Sequence, residues 1–205
     1  MTSRSPQRGV AAVVFLAILA VILIAVLTTA LSSRSAQTDF DARTIPVLAA
    51  AKEALLAYAA ANPTAPGRLP CVDANGDGVA NNLDLPCTTA NVPQLGRLPW
   101  KTLGIPILRD GSGECLWYAV SGNFAQTSTL THPINSNVPG QFTVKQDPSS
   151  STPLATGVIA VIFAPGPVLE GNDRSPPAGP ATPCGGNNDP RQYLDPIGTS
   201  TNAGG

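Results

Sequence analysis

The sequence predicts an α+β protein: a long N-terminal helix, transmembrane in its first half, whose second half packs on a small antiparallel sheet in a loop-rich, disulfide-stapled head. Three observations predict it. Val10–Leu31 is a run of 22 residues without a charge, a Pro or a Gly. Helix-period apolar spacing continues beyond it as far as Asn62. Of 21 Pro and 19 Gly, all but Pro6, Gly9 and Pro46 lie in the 143 residues from Pro63 onward, so regular structure there must come in short pieces. Charged residues make up 12% of the chain, the net charge is −1, and no Lys/Arg run exists, which speaks against a nucleic-acid partner held through its phosphates.

Taken in order, residues 1–9 form a leader whose only charges are Arg4 and Arg8. A short basic flank before an apolar span places the N-terminus in the cytoplasm and the chain after Ser32 outside. Residues 10–31 span about 33 Å as a helix, enough to cross a bilayer. A cleaved secretory signal needs an apolar core of only about 7–15 residues and a small-residue exit site, and this run is longer and lacks a clean exit. Residues 32–62 continue the helix past a polar hinge, Ser32–Gln37. Ile45, Leu48, Ala51, Leu55 and Tyr58 recur at spacings of three and four, with Lys52 and Glu53 off that stripe. Asp39 and Asp41 suit a helix start, Asn62-Pro63 a stop, and Pro46 is expected to bend the helix without ending it.

The head is expected over residues 63–170. Cys71, Cys87, Cys115 and Cys184 all fall on the outer side, and an even count there reads as two disulfides. Of the possible pairings, Cys71–Cys87 with Cys115–Cys184 is favoured because the first brackets a compact loop. Their spacings match no zinc pattern, and His132, the sole histidine, reads as a loop residue. Between the first two cysteines, residues 73–84 place Asp73, Asn75, Asp77, Gly78, Val79, Asn81 and Asp84 at positions 1, 3, 5, 6, 7, 9 and 12 of a calcium loop, with Asp replacing the usual final Glu. Hard oxygens at alternate positions and a glycine at the sharp turn suit Ca²⁺. Asn, Asp and Gly also favour turns for reasons unconnected with metals. Pro70 and Pro86 flank the loop, so it is expected to stand free rather than between two helices, holding a structural ion at about 10⁻⁴–10⁻³ M.

Strands are expected at Glu114–Val120, apolar on both faces, at Gln141–Gln146, half-exposed, and at Gly157–Ala164, whose apolar run reads as the central buried strand. Trp100 and Trp117 read as core residues. Residues 171–205, rich in Pro and Gly, read as a mobile tail anchored once through Cys184.

On the short basic leader ending in Arg8-Gly9, the charge-free stretch from Val10 and the long helix running into a small head, the chain resembles the type IV prepilins and the pseudopilins of type II secretion. The heads of a pilin-like subgroup also begin with an Arg-Leu-Pro-Cys segment, here Arg68–Cys71, and carry counterparts of Leu98-Pro99-Trp100 and Ala164-Pro165-Gly166. The resemblance implies a pilin-like fold, cleavage after Gly9 by a prepilin peptidase, methylation of the new N-terminus at Val10, and packing with sister subunits through the N-terminal helix at the inner membrane. Major pilins carry a glutamate at the fifth mature residue, which here is Val14. An intramembrane charge is retained for a function, so its absence implies a minor subunit that primes or caps a filament, as the tip pseudopilin does. No nucleophile elbow, phosphate loop or metalloprotease helix occurs, and Asp110 and Glu114, four apart, are explained by solvation, so no enzymatic role is expected. The rival reading is a membrane-anchored, calcium-dependent binding module outside any filament.

Overall fold

The computed structural model describes residues 7–63, 65–80, 92–126, 133–147, 150–179, 181–194, 196–197 and 200–201; within the long helix, side chains are described for 12–26 and from 35 onward. Helix α1 runs Gln7–Ala61, 55 residues, passing through Pro46 without interruption. The chain divides into two compact units, Met1–Asp41 and Ala42–Gly205, and the boundary falls within this helix.

In the first unit the side chains described over residues 12–26 are all apolar and all exposed. Phe15, Leu16, Val21 and Leu23 are each more than 60% exposed. The N-terminal helix is long and apolar enough to cross a membrane. Hydropathy also favours Ser35–Ala61. That stretch, however, carries Asp39, Asp41, Arg43, Lys52 and Glu53, and its last turns are occupied by protein.

The second unit begins with those turns. Ala51, Leu55 and Ala59 are buried against Leu69, Val72, Leu98, Leu116, Tyr118 and Val120, with Val47 and Leu48 at the margin. The expected stripe is corrected at its start: Ile45 is exposed, and Thr44 is buried in its stead, its hydroxyl accepting the Gly111 amide at 2.9 Å. A β-branched hydroxyl can satisfy a loop N–H that isoleucine could not.

Strands β1 (Gln94–Arg97), β2 (Trp117–Val120) and β5 (Ala160–Phe163) make an antiparallel sheet in the order β1-β2-β5. Strands β3 (Phe142–Val144) and β4 (Ala155–Val158) form a separate antiparallel pair, as do β6 (Pro196–Ile197) and β7 (Ser200–Thr201). Two expectations are corrected. The run Gly157–Ala164 is not one central strand: it breaks at Ile159, its first part pairing with β3 and its second with β2 as an edge. The central strand is β2, and the strand on its other side, β1, lies outside the three expected strands. Gly96 admits it: a Cβ there would come within 2.8 Å of the Asp73 carbonyl, and Asp73 and Arg97 exchange backbone hydrogen bonds of 2.8 and 2.9 Å across that approach.

All four β2 residues are buried. Alternation along a strand sends Tyr118 and Val120 toward the helix and Trp117 and Ala119 the other way, so β2 needs a cover on its second face. Residues 171–194 supply it. Cys184 bonds Cys115, with the Cα atoms 5.7 Å apart. The Tyr193 ring packs tilted against Trp117 at 4.9 Å, and Arg97 lies 4.8 Å from the Trp117 ring and 4.3 Å from that of Tyr193. Arg174 donates to the carbonyls of Gly166 and Gln192, stands 4.5 Å from the Tyr193 ring, and pairs with Glu114 at 3.3 Å. The presumed tail is therefore a strap held at many points, not once.

Candidate functional site

Gly9 and Val10 lie in the first turns of α1, next to the charge-free stretch of residues 10–31. Val14 is exposed on the helix surface, with apolar neighbours Val13 and Phe15 equally so. An acid at that position would have no partner within the described chain.

The expected metal loop is described for residues 73–80. Asp73 is fully buried at the loop's first position. One carboxylate oxygen accepts the amides of Asn75 (3.2 Å) and Gly76 (2.7 Å), and the other accepts that of Gly78 (2.7 Å). Asn75 Oδ1 accepts the Asp77 amide at 3.1 Å, and Asp77 Oδ1 accepts the Val79 amide at 2.7 Å. Each ligand-type side chain thus ties down the backbone two to five residues ahead, which winds the segment into a tight coil. Gly76 and Gly78 have φ of +79° and +89°, conformations that other residues adopt with strain. At Gly78 the absence of a side chain also lets the Trp100 indole lie against the backbone, since a Cβ would overlap that ring. The Gly78 carbonyl accepts the Lys101 amide, and the Ala80 amide donates to Thr102 Oγ1, both at 2.8 Å, so the coil is fastened to the turn after β1.

Burial pushes the Asp73 carboxyl above its ordinary value, the amides of Gly78, Gly76 and Asn75 pull it back, and the neighbouring Asp77 carboxylate raises it further. The second carboxylate beside a buried first one is what a divalent cation relieves. The described donors are hard oxygens: carboxylates of Asp73 and Asp77, the amide oxygen of Asn75, and the Val79 carbonyl, so they fit calcium in kind. Among the described residues no three His, Cys, Asp or Glu converge as a metal cluster. Asn81 and Asp84, expected to complete the shell, lie outside the described residues, as do Cys87 and His132. Cys71 is buried and disulfide-bonded; its expected partner is Cys87.

Asp110 and Glu114 are both committed to structure. Asp110 accepts the amides of Ser112, Glu114 and Gly166 within 3.0 Å, and Glu114 holds Arg174. Arg97 is the residue that sequence reasoning missed. A cation next to a glycine reads as a surface turn, yet Arg97 is wholly buried. The only sequence signal for it was the two-faced apolar strand at residues 114–120, which demanded a second cover.

These features define the class of the molecule: an α+β protein with an N-terminal apolar helix, a small antiparallel sheet and a disulfide that straps its head. No protein family, no curated protein and no solved structure matches this chain.

Proposed function

We propose that this chain is a minor pilin or pseudopilin, a structural subunit that primes or caps a type IV pilus or type II secretion pseudopilus. The observation that carries the reading is α1: one helix that begins in an unbroken apolar stretch directly after Arg8-Gly9 and ends as the packing partner of a small antiparallel sheet. An apolar stretch of this kind is satisfied by lipid before assembly and by sister helices after it. The role is mechanical and recognitional, not enzymatic, with Val14 where a repeating subunit carries an acid. Its partners are a prepilin peptidase, other pilin or pseudopilin subunits and the inner membrane, with the N-terminus cytoplasmic and the head outside. Asp73, Asn75, Asp77, Val79, Asn81 and Asp84 hold one structural calcium ion that stiffens the loop between Cys71 and Cys87.

Co-expression with a prepilin peptidase, followed by intact-mass measurement, tests the reading. The expected result is loss of residues 1–9, methylation at Val10, and a block of both by Gly9→Leu. A chain that stays whole, or is cut on the outer side of the span, overturns it and leaves the membrane-anchored calcium-binding module.

A further inference from the structure

Strand β5 is an edge. Its register against β2 pairs Val120 with Ala160 and Trp117 with Phe163, and the ladder continues to Ser121, whose amide donates to the Ile159 carbonyl at 2.8 Å. In an antiparallel ladder, hydrogen-bonded and non-hydrogen-bonded pairs alternate. Ile159, Val161 and Phe163 therefore spend their backbone groups on the β2 side, while Ala160 and Ile162 turn their N–H and C=O groups outward. No described residue meets those outward groups. Edge strands are normally blunted by shortness, a charge, a proline or a bulge; Ala160–Phe163 is short, four residues, but carries none of the other three.

The side chains of the same two residues, Ala160 and Ile162, enter a groove of about 520 Å³ beside that edge. Its other walls are Leu48, Leu55 and Leu56 of α1 together with Leu69 and Ile134, and its one charged member is Lys52. No residue of central strand β2 lines the groove, whereas Ile159, Ala160 and Ile162 at the β5 edge do. Among the described residues Lys52 has no ion-pair partner.

We propose that β5 and this groove dock an extended strand from a partner protein, one that alternates apolar side chains and carries an acidic residue facing Lys52. Each part of that description answers one observation. Outward N–H and C=O groups on alternate residues are completed by a strand, whose pairing supplies affinity without regard to sequence. A helix cannot complete them, because its own backbone groups are already bonded. Apolar walls beneath the edge accept every second side chain of the added strand, since strand side chains alternate faces. A lone cation on the rim selects an acid, and it disfavours a second copy of this chain paired β5 to β5, which would bring Lys52 toward Lys52 without a counter-charge.

The test uses the full chain in detergent micelles and two short synthetic peptides that alternate valine and threonine, one ending in glutamate and the other in lysine. Hydrogen exchange at the Ala160 and Ile162 amides is followed together with binding. The glutamate peptide is expected to slow exchange at these two amides by about tenfold or more while Val161 and Phe163, already bonded to β2, change little. It is expected to bind about tenfold more tightly than the lysine peptide. Lys52→Glu, an exposed substitution, should reverse that preference. Failure of the glutamate peptide to protect Ala160 and Ile162 overturns the proposal. So does protection that grows with protein concentration without peptide, which assigns the edge to a second copy, and so does tighter binding of an amphipathic helical peptide at the groove. None of these results alters the outcome of peptidase cleavage, so the two readings fail separately.

Discussion

Asp73 concentrates the head's polar chemistry in one side chain. It fixes three amides of its own loop, and it does so from a fully buried position. Because its carboxyl is raised by burial, the folded head holds that proton more tightly than the unfolded chain, and stability falls as pH rises through the raised value. A bound cation offsets that cost. Millimolar calcium is expected to stabilise the chelator-treated protein by about 1–3 kcal/mol at about 10 mM, given a dissociation constant of about 10⁻⁴–10⁻³ M. Differential scanning calorimetry checks this as a rise of a few degrees in melting temperature. Asp77→Asn retains the acceptor for the Val79 amide but removes the charge, so it should fold as before and lose most of the calcium response. An equal response in that variant removes Asp77 from the site. The tight coil at 73–79 was legible because it is local: Asp, Asn and Gly alternate within a single turn-forming stretch. Arg97 was not, because its burial is created by Trp117 and by Tyr193, far away in the chain, whose rings replace part of the hydration that the guanidinium loses.

At the scale of elements, the decisive relation is between β2 and the strap. A strand buried on both faces needs two covers, and the sequence of residues 114–120 announced this without naming the second. The strap escaped notice because its Pro and Gly content resembles a disordered tail, while its holding points are single residues, Arg174, Cys184 and Tyr193, spread along it. Nor could the run at 157–164 reveal its division, since apolar content does not say which edge each half meets. Gly157, with φ of +66°, sits at the start of that bend. Cys115 and Cys184 are 69 residues apart, and closing such a loop contributes about 4 kcal/mol in the chain-entropy picture. Replacing both by serine should lower the head's stability by up to that amount, read by urea unfolding. The aromatic and arginine contacts remain, so the variant should still fold, with proteolysis at 175–190 accelerated more than elsewhere. If Tyr193→Ala in the oxidised protein leaves proteolysis of the strap unchanged, the packing of Arg97, Tyr193 and Trp117 contributes nothing to holding it, and the disulfide with the Arg174 contacts suffices.

On the scale of the molecule, the two units make opposite demands on their surroundings. The first turns Phe15, Leu16 and Leu23 outward, and lipid or other apolar helices satisfy such a surface. The second has its own core and a disulfide, and a disulfide persists in an oxidising compartment. In the orientation proposed above, a span between Arg8 and the head puts the N-terminus in the cytoplasm and residues 42–205 beyond the membrane. The orientation does not follow from charge alone, because Arg34 and Arg43 follow the span as Arg4 and Arg8 precede it. The Cys115–Cys184 disulfide is the second support for the proposed orientation. The expectation can be checked in intact spheroplasts of a Gram-negative host expressing the full chain. Protease added from outside should degrade the head, and thiol-trapping before lysis should find Cys115 and Cys184 oxidised. When residues 10–31 are replaced by a polar sequence, the head should stay inside, protected from protease and with both thiols reactive. A head protected in the unaltered chain, or a disulfide that forms equally well without the span, would show that the apolar stretch does not deliver the head to the side where its strap can close.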